Sequence, residues 1–389
     1  MTDKELLEIA GEFGTPSYVF DTEALVKRMK AVKDIVGDKV HLCYSIKANP
    51  FLIKTMLSLT EKLEVCSPGE LDICKALKVD PDRIIYSGVV KRERDVKEAA
   101  EYKVGIFTAE SKTQAELINK QGISDDQVYP VLLRLNAGSQ FGMSKEDLVD
   151  IISNRADYSN IDIKGIHYFV GTGRAKIKQQ IKELGKLKEL FKELKSGYGF
   201  ETIKLEYGPG LNYPYFEGDD FSDTLRPLKE LAPELQSIAE ECELTIEMGR
   251  FFASECGYYL TRIEDIKTAN DTNYAFIDGG INHINYYGQI MGMKVPVIHQ
   301  LNRKTEEKTK YAIAGSLCTT GDIPVREVGL CTLEQGDVLA FCNIGAYSVT
   351  EGIYLFLSRA LPNIIIYEGE GKRRLVRGIK ETSIINMED

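Results

Sequence analysis

Up to about residue 255, short apolar or β-branched runs alternate with charged stretches whose apolar residues recur at helical spacing. The runs lie at 40–46, 63–66, 83–87, 104–107, 128–135, 161–170, 202–206 and 244–247. The clearest helical stretch carries Ile177, Ile181, Leu184, Leu187, Leu190, Phe191 and Leu194 on a lysine-rich background. That pattern predicts a helix on the outside of a barrel. Strand followed by helix, eight times over, predicts an α/β chain built on a (β/α)8 TIM barrel.

Beyond residue 255 the pattern changes. The stretches 257–263, 274–278, 311–314 and 337–341 are β-like and are punctuated by Gly, Asn and Asp. They predict a C-terminal, mostly-β domain, a β-barrel or sandwich. Residues 17–21 are also strand-like and are expected to join it. The expected division is therefore 22–255 for the (β/α)8 barrel, with 1–21 and 256–389 forming the β domain. The charged tail from Gly369 is expected to fray.

Composition narrows the function classes. The chain has 389 residues, 43% hydrophobic and 28% charged, as a globular protein with a large core would. Its net charge of -10 argues against nucleic-acid or anionic-membrane partners. The acidic, amphipathic N-terminus does not read as a signal peptide, and no apolar run is long enough to span a bilayer. Eight scattered cysteines without a CxxC pair suggest reduced thiols in a cytoplasmic protein, with no metal site.

Active sites of such barrels lie at the C-terminal ends of the strands. Lys47 follows the first run, in Tyr44-Ser45-Ile46-Lys47-Ala48-Asn49-Pro50. A desolvated amine there is a nucleophile toward carbonyl groups. The alternative is an ordinary surface lysine. The remaining strand ends carry Cys66-Ser67, Ser87-Gly88, Glu110-Ser111, Arg134, Phe169-Val170-Gly171-Thr172, Gly208-Pro209-Gly210 and Glu247-Met248-Gly249-Arg250. Two glycine loops after strands seven and eight, with Arg250 beside them and Thr172 after strand six, suit a phosphate group. Glu247 either pairs with an arginine or faces a pyridine nitrogen, whose protonation makes the ring an electron sink. Amine, phosphate cup and carboxylate together describe pyridoxal 5'-phosphate.

The chain resembles the fold-type III pyridoxal-phosphate decarboxylases. These include diaminopimelate, ornithine and arginine decarboxylases, and they share their barrel with alanine racemase. The resemblance runs through the Lys47 motif, Glu64-Val65-Cys66-Ser67-Pro68-Gly69-Glu70-Leu71, Gln140-Phe141-Gly142-Met143, Gly165 to Thr172, Gly208-Pro209-Gly210 and Glu247-Met248-Gly249-Arg250. It continues through Gly315-Ser316-Leu317-Cys318-Thr319-Thr320-Gly321-Asp322 and Gly345-Ala346-Tyr347. It implies that Lys47 holds the cofactor covalently and that Glu247 meets the ring nitrogen. Thr172, Gly208, Gly210, Gly249, Arg250 and Tyr347 would surround the phosphate. Arg250 alternatively meets a substrate carboxylate. Cys318 would act from a partner subunit and protonate the carbon left by carbon dioxide. That implies a homodimer with shared active sites, completed by the β domain.

Three positions depart from the diaminopimelate and ornithine enzymes. Phe169 stands where they stack a histidine on the ring. Thr319 stands where they carry an acid that meets the substrate's distal amine, a charge-assisted bond worth about 1.5–3 kcal/mol. Met248 replaces a usual proline. Leu317-Cys318-Thr319 with Phe169 is more similar to two branches acting on distally conjugated amino acids. One acts on a glutamyl group on an acyl-carrier protein, the other on a citryl-diaminopropionate siderophore intermediate. Decarboxylation of a small-molecule or carrier-bound amino acid is the expected activity. A diaminopimelate or diamine decarboxylase, and a non-catalytic cofactor-binding homologue, remain as alternatives. Asp278 and His283 are further candidates for the substrate's distal side, or else structural residues.

Overall fold

The computed structural model describes residues 1–286, 292–303 and 305–388. The chain divides into two compact units: Arg28–Asn212 with Asp223–Phe251, and Met1–Lys27 with Tyr213–Ser222 and Phe252–Asp389.

The first unit is a closed barrel of eight parallel strands. With β1 (Ser17–Asp21) in the other unit, these are β2 (Val40–Ser45), β3 (Lys62–Val65), β4 (Ile84–Tyr86), β5 (Ile106–Ala109), β6 (Tyr129–Arg134), β7 (Ile161–Phe169), β8 (Lys204–Gly208) and β9 (Glu243–Met248). β9 pairs with β2 from Val40↔Leu244 to Tyr44↔Met248 and closes the ring. Cys43, Ile85, Ile106 and Leu132 form a buried cluster, the packed middle of a barrel rather than a pore. The expected outer helix runs Ile177–Tyr198. Its buried face holds Leu184, Leu187, Leu190, Phe191 and Leu194, with Gln180 buried and Ile181 half-buried. Gln180 donates to the Pro209 carbonyl at 3.3 Å, so the helix supports a strand-end loop from outside.

Two barrel strands begin later than the hydrophobic pattern suggested. Val104 precedes β5 because Lys103 takes φ 61° and Gly105 packs against the Asp82 carbonyl, 2.3 Å from where a Cβ would stand. β8 reaches Gly208, which is therefore a strand residue and not the first residue of a loop. It pairs with Phe169, and a Cβ there would meet the Phe169 ring at 2.3 Å.

The second unit carries a nine-stranded mixed sheet. Its strands after β1 are β10 (Gly257–Ala269), β11 (Thr272–Ile277), β12 (Ile298–Gln300), β13 (Lys308–Ala314), β14 (Val325–Cys331), β15 (Val338–Cys342), β16 (Asn363–Tyr367) and β17 (Arg373–Arg377). β1 lies between β10, antiparallel, and β16, parallel. The N-terminal helix Asp3–Phe13 starts with a capping box, in which Thr2 Oγ1 accepts from Glu5 N and Glu5 Oε2 accepts from Thr2 N at 2.7 Å. Leu6 and Ile9 of that helix are fully buried against Val19, Leu260 and Ile365. The tail does not fray at Gly369: β17 pairs with β16, and Arg373 is tied to Glu12 at 2.6 Å.

Candidate active site

Lys47 stands at the C-terminal mouth of the barrel because β2 ends at Ser45 and the chain turns through Ile46–Ala48. Asn49 fixes the turn: its side chain accepts from Phe51 N at 3.1 Å and its carbonyl accepts from Tyr44 Oη at 2.9 Å. The Lys47 ammonium donates to Glu64 in a short contact, lies 3.4 Å from Cys66 Sγ and is 3.8 Å from Glu247 Oε1. Its side chain is 37% exposed, and carboxylates hold its ammonium at the mouth.

Glu247 lies deeper, 5% exposed. It accepts from Ser45 Oγ at 3.0 Å, and its Oε2 is 3.0 Å from His167 Nε2. Burial pushes its carboxyl up, but the Lys47 ammonium and the His167 hydrogen bond outweigh burial and hold it below the usual carboxylate range. Cys66 donates to Glu64 at 2.8 Å, and burial and the Glu64 charge push that thiol well up. The Ser67-Pro68-Gly69-Glu70 part of the second-strand motif is a helix start. Ser67 caps Pro68–Ala76, and Glu70 Oε2 returns to Cys66 N at 2.7 Å.

Lys47, Glu64, Cys66, Glu110, Arg134, His167, Phe169 and Glu247 line one cavity of about 260 Å³ with Gly88, Val89 and Phe141. Arg134 pairs with Glu110, and its guanidinium lies 5.0 Å from the Phe141 ring centre and 5.9 Å from that of Phe169. Arg250 Nε reaches Thr172 Oγ1 at 3.4 Å. Gly210 takes φ 59°, and a Cβ there would lie 1.7 Å from the Gly171 carbonyl. At Gly249 a Cβ would meet that of Ala48 at 2.7 Å. These glycines bring four strand-end loops together in two pairs, beside the buried Arg250 guanidinium.

The sequence reading of the barrel overlooked roles for Glu64, His167, Arg134 and Glu206. The first, second and fourth stand two residues before Cys66, Phe169 and Gly208. Side chains of a strand alternate, so stepping back by two from each strand end would have found them.

The β-unit candidates divide into two kinds. His283 is buried, its ring nitrogens 2.9 Å from Tyr259 Oη and 3.1 Å from Asn282 Nδ2. Asp278 accepts from Thr261 Oγ1 at 2.5 Å and from Arg262 N at 3.2 Å. Both are tied into their own unit's hydrogen bonds. Cys318 and Thr319 are exposed on a loop held by buried Asp322, which accepts from Leu317 N at 2.7 Å and Ile281 N at 2.8 Å. Tyr347 takes φ 70°, a strained backbone for a residue with a Cβ, and its carbonyl accepts from Thr350 N and Glu351 N.

The barrel residues fit pyridoxal phosphate chemically. They provide an amine at the mouth, a buried carboxylate kept ionised, an aromatic wall, and glycine loops with Arg250 and Thr172. The family model described as "Pyridoxal-dependent decarboxylase, pyridoxal binding domain" matches residues 22–254. The chain is 29% identical over 367 residues to diaminopimelate decarboxylase of Vibrio cholerae, covering 89% of this chain and 86% of the relative. It is 25% identical over 396 residues to that of Aquifex aeolicus, covering 94% and 90%. The crystal structure of diaminopimelate decarboxylase from M. jannaschii in complex with L-lysine superposes with a TM-score of 0.85 at 25% identity, covering 97% of this chain and 92% of that one. With the barrel, its cavity and the match over most of its length, the chain belongs to the pyridoxal-dependent decarboxylases, carboxy-lyases that work with pyridoxal phosphate.

Proposed function

We propose that this amino-acid decarboxylase removes the α-carboxylate of a diamino acid of the diaminopimelate type. The observation that carries the reading is the likeness to diaminopimelate decarboxylases along nearly the full length of both chains. When bound, pyridoxal phosphate supplies the ring that accepts the electron pair left as carbon dioxide departs. The chain's own residues do the rest. Lys47 offers the amine to which a carbonyl carbon bonds. Glu247 presents an anion for the ring nitrogen, with Ser45, His167 and Lys47 keeping it ionised. Arg250, Thr172 and the backbone around Gly210 and Gly249 bind phosphate oxygens. Phe169 and Phe141 wall the cavity against water, which strengthens each of these interactions.

A second reading is favoured by one position. Thr319 is neutral and exposed, so a free distal ammonium would find no carboxylate there. A substrate with a conjugated or carrier-bound distal end loses nothing by this. Carbon dioxide release from meso-diaminopimelate, L-lysine, L-ornithine and an amine-blocked analogue separates the two. Efficiency on meso-diaminopimelate on the order of 10⁴ M⁻¹s⁻¹ or above supports the first reading. Poor turnover there with good turnover of the blocked analogue, and a return of diamino preference in Thr319→Glu, supports the second.

The assembly we infer is a cytoplasmic homodimer in which Cys318 acts at the partner's barrel. Leu355, Phe356, Leu357, Ile384, Ile385 and Met387 are all exposed, and Asn386 Nδ2 ties the two segments together at 2.9 Å from the Leu355 carbonyl. An apolar patch of that kind suits a second copy. Mixing inactive Lys47→Ala and Cys318→Ala chains should restore up to about a quarter of wild-type activity, because half of the dimers then hold one complete site. No recovery in verified hybrids means that both residues serve the same chain's site.

A further inference from the structure

Glu206 of β8 is 1% exposed, and among the described residues its carboxyl oxygens meet no nitrogen or hydroxyl donor, only the weakly donating Cys43 thiol. It lines a second cavity, of about 280 Å³, with Ile85, Leu132, Lys204, Glu243 and Thr245. The cations of that cavity are engaged elsewhere: Lys204 with Glu243, Lys164 with Asp162, and Lys62 with the Asp82 carbonyl at 2.7 Å. Yet Glu206 is close to the active-site floor. One ligand atom each of His167, Glu206 and Glu247 lie within 4.8 Å of one another. His167 Nδ1 is also buried, without a partner among the described residues.

Two carboxyls this close do not both ionise in a buried site, and their partners decide which one keeps a proton. Glu247 has the Ser45 hydroxyl, the His167 imidazole and the Lys47 ammonium. Glu206 has only the neighbouring Cys43 thiol, a weak donor, and the more distant charge of Lys47. Burial and then the charges of Glu247 and Glu64 push its carboxyl far above the ordinary range.

We propose that Glu206 is a positioning residue for Glu247: it stands in the barrel as a neutral carboxylic acid, turns its O–H toward the His167–Glu247 pair, and leaves Glu247 as the anion that faces the cavity. The proposal rests on the reading of Glu247 as the cofactor's partner. An ionised Glu206 would place a second negative charge beside Glu247 and drive a proton onto it. An apolar side chain would leave the pair without its donor.

Glu206→Gln keeps a neutral donor of the same shape, and Glu206→Leu removes it at similar volume. In the cofactor-free protein at neutral pH, the infrared difference between wild type and Glu206→Gln should show a protonated carboxyl in the wild type. In the holoenzyme, Glu206→Gln should hold kcat within about three-fold, while Glu206→Leu lowers it about ten-fold or more with KM nearly unchanged. Absence of the carboxyl band overturns the proposal. So do equal losses in the two variants with near-UV circular dichroism intact, or a stoichiometric metal ion lost on substituting Glu206. If Glu206→Leu fails to fold, the band and the Glu206→Gln rate decide. A wild-type protein that binds no pyridoxal phosphate would sink the cofactor reading while leaving the band in place.

Discussion

His167 and His283 are each 2% exposed, one in the barrel and one in the β unit, and burial alone does not separate them. Their partners do. His283 has a hydroxyl on one ring nitrogen and an amide on the other, and burial lowers its pKa to about 4. It is a neutral imidazole with a partner on each ring nitrogen. His167 spends one nitrogen on a carboxylate that faces a cavity and leaves the other without a partner among the described residues. A buried polar group that is fully satisfied holds a fold together. One that shares a charge and keeps an unmet need points to a site.

The sharpest way to break this contrast begins beside His167. Lys47→Ala should abolish covalent retention of pyridoxal phosphate and lower kcat by roughly three orders of magnitude or more. Borohydride reduction followed by peptide mapping checks the first part. Cofactor fixed to another lysine would refute the assignment. His167→Phe should cost turnover about 100-fold through loss of the bond that orients and holds down Glu247, with a smaller change in melting temperature. His283→Phe should do the reverse. It leaves Tyr259 Oη and Asn282 Nδ2 without their imidazole partners and should destabilise the β unit by about 2–4 kcal/mol, with kcat of the folded fraction unchanged. Urea titrations with rates measured on the same samples read both. If His283→Phe silences a stable protein, His283 belongs to the site.

The most gradual effect is a pH dependence. The unfolded chain protonates His283 near the ordinary imidazole value of 6.5, and the folded chain only at about 4. Between those values the unfolded state binds the extra proton, so stability rises with pH. The contribution is complete above about pH 6.5 and disappears progressively as pH falls toward 4. It is of order 3 kcal/mol. Melting curves across that range should be steeper in pH for wild type than for His283→Gln.

Much of the barrel was legible because its signals are local. Eight apolar runs with amphipathic stretches between them leave few other folds, and the strand-end rule then leads to Lys47 and Glu247. What escaped depends on contacts made across the ring. Glu64, His167 and Glu206 meet only when eight strands close, although each sits at an inward position of its own strand. The late start of β5 goes with a backbone approach at Gly105, and the reach of β8 to Gly208 with the close Phe169 ring, neither of which hydrophobicity registers. In the β unit, sequence offered Asp278 and His283 as candidates beside Thr319. Only the hydrogen bonds to Thr261, Tyr259 and Asn282 reveal how fully the first two are engaged.

Cys318 differs from the other seven cysteines, which are buried or half-buried, because it is exposed. Burial also pushes the half-buried Cys242 thiol up to about 12, far from the thiolate form that alkylating reagents attack. A maleimide reagent added to the unaltered protein should therefore attach at one position on a lone chain. Where Cys318 enters a partner's barrel, the same reagent should be shut out. The natural chain thus carries its own reporter of whether copies have come together.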